Sequence, residues 1–309
     1  MGRGFKLKSL VTGATGFIGR RLLYLLESSG EDIRVLSRKN HSDYETIICD
    51  FNSEDIPVNS LESVDIVYHL AGFAHDLGNS SDNEDIYNRI NCEFTSQLAE
   101  LAVKSKVKRF IFVSSVKAAG GLYQNKCIDE SDKFEPEGIY GKSKRDAEKI
   151  LLEIGNKSGM QVSIIRPSLV YGPNVKGNLG KMRAAISSGF FPPIPDIGNR
   201  RSMVHVDDLV RSLLFIASSD FTDGEIYILT DGNEYSSRYI YEVLCKTQGK
   251  SVPRWHIPKF VFTVLGLVSK QLKYKIDKLL GDECYSSNKL KSIGFETKKV
   301  LKDINETSF

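Results

Sequence analysis

The sequence predicts an α/β fold: a doubly wound parallel sheet followed by a smaller C-terminal lobe. Three observations predict it. Short β-prone apolar runs alternate with amphipathic helical patterns through the first half of the chain. A glycine turn joins the first run to the first helix. Beyond residue 167 the alternation stops, where Gly172-Pro173, Phe191-Pro192-Pro193-Ile194-Pro195 and Gly198-Asn199 break the chain into loops and short elements.

The first apolar run, Ser9-Leu10-Val11-Thr12, places a strand over Lys8–Thr12. Gly13-Ala14-Thr15-Gly16-Phe17-Ile18-Gly19 follows at once, and Arg20-Arg21-Leu22-Leu23-Tyr24-Leu25-Leu26 then carries apolar residues at helical spacing, a helix over Phe17–Ser28. Strand, glycine turn and helix open a Rossmann-like unit. Gly13 suits the tight turn, Gly16 lets a pyrophosphate reach the backbone, and Gly19 lets helix and strand pack closely. The helix N-terminus adds N–H donors and a positive dipole end, so the segment points to dinucleotide binding. Further strands are expected at 33–37, 46–49, 66–70, 109–114 and 161–166, with helices at 84–105 and 140–158. This alternation calls for right-handed crossovers between parallel strands. The expected division is a dinucleotide-binding domain over 1–166, to which about 201–231 returns, and a second lobe over 167–200 and 232–309. No internal repeat is visible.

Composition sets bounds on function. The 309 residues are 41% hydrophobic and 26% charged, ordinary for a soluble globular protein. A net charge of +3 is too small to argue for nucleic acid. The region after 245 is locally basic and reads as solvated surface. Five cysteines (Cys49, Cys92, Cys127, Cys245, Cys284) are scattered without a Cys-x-x-Cys pair, so they are expected reduced and mostly buried, in the cytoplasm. The start, Met1-Gly2-Arg3-Gly4-Phe5-Lys6, has neither signal-peptide nor myristoylation character. Residues 257–268 are apolar but too few to span a bilayer, so no membrane partner is expected; a helix packed over the second lobe is.

Tyr140-Gly141-Lys142-Ser143-Lys144 carries the chemistry. Residues four apart share one helix face. A lysine ammonium there favours the phenolate and lowers the tyrosine pKa from its usual ~10, which makes an acid/base near neutral pH. Phe112-Val113-Ser114-Ser115 ends the fifth strand, and ligands of doubly wound sheets sit beyond such strand ends, so Ser115 stands where it can hold a substrate oxygen.

Together Thr12-Gly13-Ala14-Thr15-Gly16-Phe17-Ile18-Gly19, His69-Leu70-Ala71-Gly72, Ser114-Ser115, Tyr140-Gly141-Lys142-Ser143-Lys144 and Arg166-Pro167 resemble, in this order, the extended short-chain dehydrogenase/reductase superfamily, in its nucleotide-sugar epimerase and dehydratase branch. Leu169-Val170-Tyr171-Gly172-Pro173 and Arg201-Ser202-Met203-Val204-His205-Val206-Asp207-Asp208-Leu209 extend the resemblance into the second half. It implies that Tyr140 is the acid/base, Lys144 its electrostatic partner and Ser115, five residues before Gly120, the catalytic hydroxyl. It implies a cofactor site of Gly13, Thr15, Gly16, Phe17, Ile18, Gly19, Arg38, Asp50, Phe51, Leu70, Ala71, Gly72, Tyr140, Lys144 and Pro167, with Asp50 at the adenine. It implies a UDP-sugar substrate held by Asn178 and Arg201, with His75 and Lys117 as further contacts, and leaves a homodimer possible. No metal is implied. Asn91 stands where relatives carry an asparagine near the active site, and Asp207 and Asp208 read as helix-start residues.

Val116-Lys117 occupy the place of the Asp-Glu pair that dehydratases use for elimination, which argues against dehydration. The leading reading is a reductase of a UDP-4-keto-6-deoxy-N-acetylhexosamine; the alternative is a UDP-GlcNAc or UDP-glucose 4-epimerase with tightly held NAD. A redox-sensing binding protein that has lost catalysis is a third reading, against which the intact Ser115, Tyr140 and Lys144 speak. NAD-selective relatives carry an acid at the end of the second strand. Here Ser37, Arg38 and Lys39 stand there, which favours NADP(H) over NAD(H).

Overall fold

The computed structural model describes residues 6–53, 55–74, 84–120 and 126–304. In chain order the strands are β1 (Lys8–Thr12), β2 (Asp32–Ser37), β3 (Glu45–Ile48), β4 (Ile66–His69), β5 (Arg109–Val113), β6 (Gln161–Pro167), β7 (Leu169–Tyr171), β8 (Arg201–His205), β9 (Glu225–Leu229) and β10 (Glu234–Tyr235). The helices are α1 (Phe17–Ser28), α2 (Glu84–Tyr87), α3 (Phe94–Lys104), α4 (Gly138–Ser158), α5 (Gly177–Ser187), α6 (Val206–Ala217), α7 (Ser237–Lys246), α8 (Lys259–Val268), α9 (Lys270–Leu280) and α10 (Asn288–Ser292).

The chain forms two compact units, the first made of residues 1–120, 130–167 and 209–228. Its seven-stranded sheet runs β3-β2-β1-β4-β5-β6-β9 with helices flanking it, a Rossmann-like arrangement. Pairings from β3 through β6 are parallel. Strand order reverses between β1 and β4, so the carboxyl ends of these two strands bound a crevice. The β-strands are nearly continuous apolar runs, as burial on both faces demands. Leu10, Val67, Phe110 and Ile164 of the sheet pack with Phe94, Leu98, Ala147 and Leu151 of the crossover helices.

The glycine turn is fixed by close approaches. Gly13 has φ +71°, and a Cβ there would stand 2.8 Å from the backbone of Leu70 and Ala71. A Cβ on Gly19 would stand 2.2 Å from the Gly13 carbonyl oxygen, so this glycine lets α1 close against the turn itself rather than against the strand. The single helix expected over 84–105 is interrupted by a π-helical turn, Asn88–Glu93, between α2 and α3. That wide turn carries Asn91 and Cys92, both buried.

The second unit comprises residues 121–129, 168–208 and 229–309. Its three-stranded sheet places β8 between β7, to which it is parallel, and β10, to which it is antiparallel. Of the stretch 201–231 expected to return to the large sheet, residues 209–228, with most of α6 and β9, do belong to the first unit, whereas β8 does not. Strand β8 spends its hydrogen bonds on β7 and β10, and only β9 joins the large sheet. Asp207 and Asp208 do lie in the first turn of α6.

Two further expectations are corrected. The cysteines are not all reduced: Cys127 and Cys284 form a disulfide with Cα atoms 4.5 Å apart, while Cys49, Cys92 and Cys245 are buried thiols outside any disulfide. The cause is the Ile128–Tyr285 β-bridge, which sets the two cysteines side by side across 157 residues of sequence. The 257–268 stretch is not packed away: α8 buries Phe262 but leaves Phe260, Val264, Leu267 and Val268 exposed. No helix among the described residues is long and apolar enough to cross a membrane.

Gly19→Ala should lower stability by about 1–3 kcal/mol or more, because backbone rather than a flexible side chain occupies the space its methyl needs. Equilibrium denaturation checks this; an unchanged midpoint would show that the turn yields.

Candidate active site

The site of the first unit is built on the N-terminal half of α4. Gly141 admits this helix: a Cβ there would stand 2.4 Å from the Lys117 carbonyl oxygen, so only glycine permits the approach of α4 to the segment after β5. With α4 seated, Tyr140, Lys144 and Glu148 recur at four-residue spacing on one face. Sequence reading found the first two and missed the third; a glutamate one turn beyond Lys144 on the inward face was the available signal.

Glu148 is 1% exposed and fully engaged. Arg166 at the end of β6 meets it with two parallel bonds, Nε to Oε1 at 2.8 Å and Nη2 to Oε2 at 2.5 Å. Ser114 Oγ donates to Oε1 at 2.5 Å. Ser114 is thereby occupied, whereas the hydroxyl of its neighbour Ser115 hydrogen-bonds Tyr140. Ser115 has extended backbone and its Oγ accepts from the Lys117 N–H at 3.2 Å.

Tyr140 keeps part of its ring surface open, but burial around its hydroxyl pushes its pKa up to about 12, with Ser115 working in the opposite direction and Tyr87 with it. In the free chain Tyr140 is therefore a protonated phenol near neutrality rather than the neutral-range acid expected beside Lys144, because its burial sets its pKa. Lys144 is 3% exposed, and burial lowers it to about 8, against the opposing pull of Glu148. Its Nζ donates to the Val113 carbonyl at 3.1 Å and lies 4.6 Å from the Phe112 ring centre.

The β1–β4 crevice is braced by Thr12, His69 and Asn91, which the sequence reading named, and by Thr95, which it did not. His69 is fully buried, with Nδ1 2.7 Å from Thr12 Oγ1 and Nε2 2.8 Å from Thr95 Oγ1. Thr95 spends its only hydroxyl proton on the Asn91 carbonyl at 2.7 Å, so His69 Nε2 is the donor and Nδ1 accepts from Thr12. Burial lowers His69 to about 3, so it stays neutral. The Ala71 N–H donates to Thr12 Oγ1 at 3.1 Å, tying the loop after β4 to β1. Asn91 exchanges two bonds with the Phe73 backbone, 2.8 and 3.1 Å, and donates to Ser143 Oγ at 2.9 Å. It ties that loop to α4.

The residues expected at a cofactor follow the carboxyl ends of the first unit's strands or sit on α1 and α4. Thr15 is exposed at the turn, Phe17 and Ile18 are half-buried, and the first turn of α1 carries no acid. Gly72 is exposed, and a Cβ on it would stand 3.0 Å from Lys144 Nζ and 3.1 Å from Asn91 Oδ1. Asp50 caps its own turn, accepting from Asn52 N–H and Ser53 Oγ. Phe51 stacks on Phe94 at 4.1 Å and borders a pocket that also takes in Asn88 and Gln97. Arg38 is exposed after β2, Leu70 is half-buried, and Pro167 is buried at the end of β6. A glycine-rich turn, a helix N-terminus free of acid and an open glycine beside the buried lysine fit a dinucleotide.

The expected substrate contacts are dispersed. Lys117 Nζ pairs with Glu137 at 2.6 Å. In the second unit Asn178 is exposed in the first turn of α5, and Arg201 Nη2 pairs with Glu283 at 2.7 Å while Nη1 donates to the Lys278 carbonyl. His75 lies outside the described residues.

Comparison with known proteins agrees with this geometry. The family model described as "NAD dependent epimerase/dehydratase family" matches residues 9–229. A UDP-glucose 4-epimerase of Vibrio cholerae is 32% identical over 257 residues, covering 81% of this chain and 77% of that protein. An N-acetyl-α-D-glucosaminyl-diphospho-undecaprenol 4-epimerase of Escherichia coli O157:H7 is 26% identical, covering 93% of this chain and 89% of that protein. The UDP-glucose 4-epimerase of Thermotoga maritima, solved with UDP-glucose, shares the fold with a TM-score of 0.81 at 22% identity, covering 98% of this chain and 97% of that one.

Two outcomes follow from the site. Tyr140→Phe should cut turnover by ~10²–10⁴ or more while cofactor affinity stays within a few-fold, since the ring still packs but the transferable proton is gone; near-normal turnover would refute the acid/base role. Lys144 has a folded-state pKa of about 8 against an ordinary 10.5, so between these values the unfolded chain holds the extra proton and stability rises with pH. Below pH 8 the buried charge is a cost. Lys144→Met should therefore melt above the wild type at pH 7, with a margin that shrinks towards pH 10, as thermal scans across pH would show.

Proposed function

The chain belongs to the NAD dependent epimerase/dehydratase family, and on that premise we propose that it is a UDP-sugar 4-epimerase working at C4 with NAD(H). The observation that carries this reading is the Ser115–Tyr140 hydroxyl pair at the head of α4, one helical turn from the buried Lys144. The Vibrio cholerae and Escherichia coli relatives, each named as a 4-epimerase, support it.

In this reading Gly13, Thr15, Gly16, Phe17, Ile18 and Gly19 hold the cofactor diphosphate, Asp50 and Phe51 its adenine end, Leu70, Ala71 and Gly72 its flank, and Tyr140, Lys144 and Pro167 its nicotinamide half. The bound dinucleotide supplies the acceptor and donor of a hydride at C4. With Lys144 and an oxidised nicotinamide beside it, Tyr140 would first lose to solvent the proton it holds in the free chain; its Oη would then take the proton of the C4 hydroxyl on oxidation and return it on reduction. Ser115 Oγ hydrogen-bonds the C4 oxygen and aligns the tyrosine. Lys144 contributes the positive charge that stabilises the phenolate while the proton is away. Arg201 exchanges its Glu283 partner for the sugar diphosphate, aided by Asn178, and Lys117 exchanges Glu137 for the sugar.

A second reading is favoured by one observation. The exposed Arg38 and the lack of a carboxylate at Ser37 suit the 2′-phosphate of NADP(H), and with it net reduction of a UDP-4-keto-6-deoxy-N-acetylhexosamine.

One assay separates the two. The protein is incubated with UDP-glucose, UDP-GlcNAc, a lipid-linked N-acetylglucosaminyl diphosphate and a UDP-4-keto-6-deoxy-N-acetylhexosamine, with and without NAD+, NADH or NADPH. Interconversion of C4 epimers with no net change in nicotinamide absorbance is expected. Consumption of NADPH with the keto sugar alone, weakened by Arg38→Ala, would establish the second reading. No turnover of any of these would overturn both. Arg201→Ala should raise the substrate KM about tenfold or more and leave the cofactor KM unchanged; equal damage to both would remove Arg201 from the diphosphate site.

A further inference from the structure

In the second unit α8 and α9 form a helical hairpin. One side of the hairpin is anchored: Phe262 of α8 is buried, and Ile276, Leu279 and Leu280 of α9 pack on the same apolar cluster. The other side is bare. Phe260 is 67% exposed, Val264 58%, Leu267 81% and Val268 74%. Their offsets of four, seven and eight residues put them on one helix face, an unbroken apolar stripe. Trp255, just before α8, is 64% exposed.

Positive charge surrounds this stripe. Between residues 251 and 280 six lysines and arginines stand against a single acid, Asp277, in a chain whose whole net charge is +3. Lys259 opens α8 beside Phe260, and Arg254 precedes Trp255, both exposed. Lys273 of α9 is exposed, its stem 3.7 Å from where a Cβ of Gly266 would stand on the anchored side of α8. Lys275 is exposed, and Lys278 Nζ lies 4.3 Å from the ring centre of the exposed Tyr274.

We propose that this face docks the protein on the surface of an anionic lipid bilayer, with α8 lying in the membrane plane. Its ten residues cannot span the hydrocarbon core, but an apolar stripe of this kind enters the headgroup–acyl boundary while lysines on its rim meet anionic headgroups. An indole and a phenol at the edge suit the same boundary. A second copy of the chain is the poorer occupant. In a two-fold contact the patch meets itself, so the rim lysines would face their own copies. Docking is independent of the C4 chemistry.

Vesicle flotation of the full chain tests this, with phosphatidylcholine alone and with phosphatidylcholine containing phosphatidylglycerol, at low and high salt. The protein should float with the anionic vesicles, remain unbound with neutral ones, and lose binding as salt rises. F260D/L267D and, separately, K273Q/K275Q should each cut binding to anionic vesicles about tenfold or more. Circular dichroism and gel filtration of both variants should match the wild type, which separates lost docking from lost folding. Failure to float with anionic vesicles, or equal binding to neutral ones that K273Q/K275Q does not change, would overturn the proposal. So would a dimer that F260D/L267D dissociates without altering flotation.

Discussion

The buried carboxylate of Glu148 is the constraint on which the first unit's site depends. It joins three elements at once: α4, which carries it, β6 through the bidentate Arg166, and the end of β5 through Ser114. Removing one member of such a buried pair typically costs about 3–5 kcal/mol, because the other charge is left without a partner. Glu148 also faces Lys144, and so lies between two cations that burial would otherwise disfavour. The geometry of Tyr140 and Lys144 therefore rests on a residue that has no place in the hydride chemistry. The same contact fixes which serine is open: with Ser114 held by Glu148, Ser115 is the one that meets Tyr140.

Two kinds of local permission let this network form. Glycines at 13, 19 and 141 stand where backbone from another segment leaves no room for a methyl group. The π-helical turn over Asn88–Glu93 widens the helix where Asn91 must serve both the Phe73 backbone and Ser143. A regular helix is the ordinary state of such a sequence. The wider turn persists because a buried amide with four hydrogen-bonding positions is costly to leave unsatisfied. His69 acts in the same way at the other edge of the crevice, neutral and held by two threonines.

The second unit shows the same economy in its charges. Arg201 is not a free guanidinium: Glu283 and the Lys278 carbonyl hold its fork, on the segment that Cys284 joins to Cys127. Glu234 Oε1 lies 3.3 Å from Cys127 Sγ and 3.4 Å from Cys284 Sγ, and its other oxygen faces Arg200. The strand that carries Arg201 is therefore framed by an ion pair on one side and a covalent link on the other.

The sequence by itself determined the fold class, the glycine turn, the boundaries of most strands and the Ser115, Tyr140 and Lys144 constellation. These are properties of local pattern: period, turn chemistry and residues spaced four apart on one helix. The sequence also named Arg166 within a motif without its partner, since a glutamate eighteen residues away looks like any other on a polar helix. Tertiary structure alone decided the Glu148 network, the Cys127–Cys284 link across 157 residues, the assignment of β8 to the small sheet and the open face of α8. It also decided the ionisation of Tyr140. A neighbouring lysine lowers a phenol's pKa in the abstract, but desolvation is a property of everything packed around the hydroxyl, and here that burial is the larger effect.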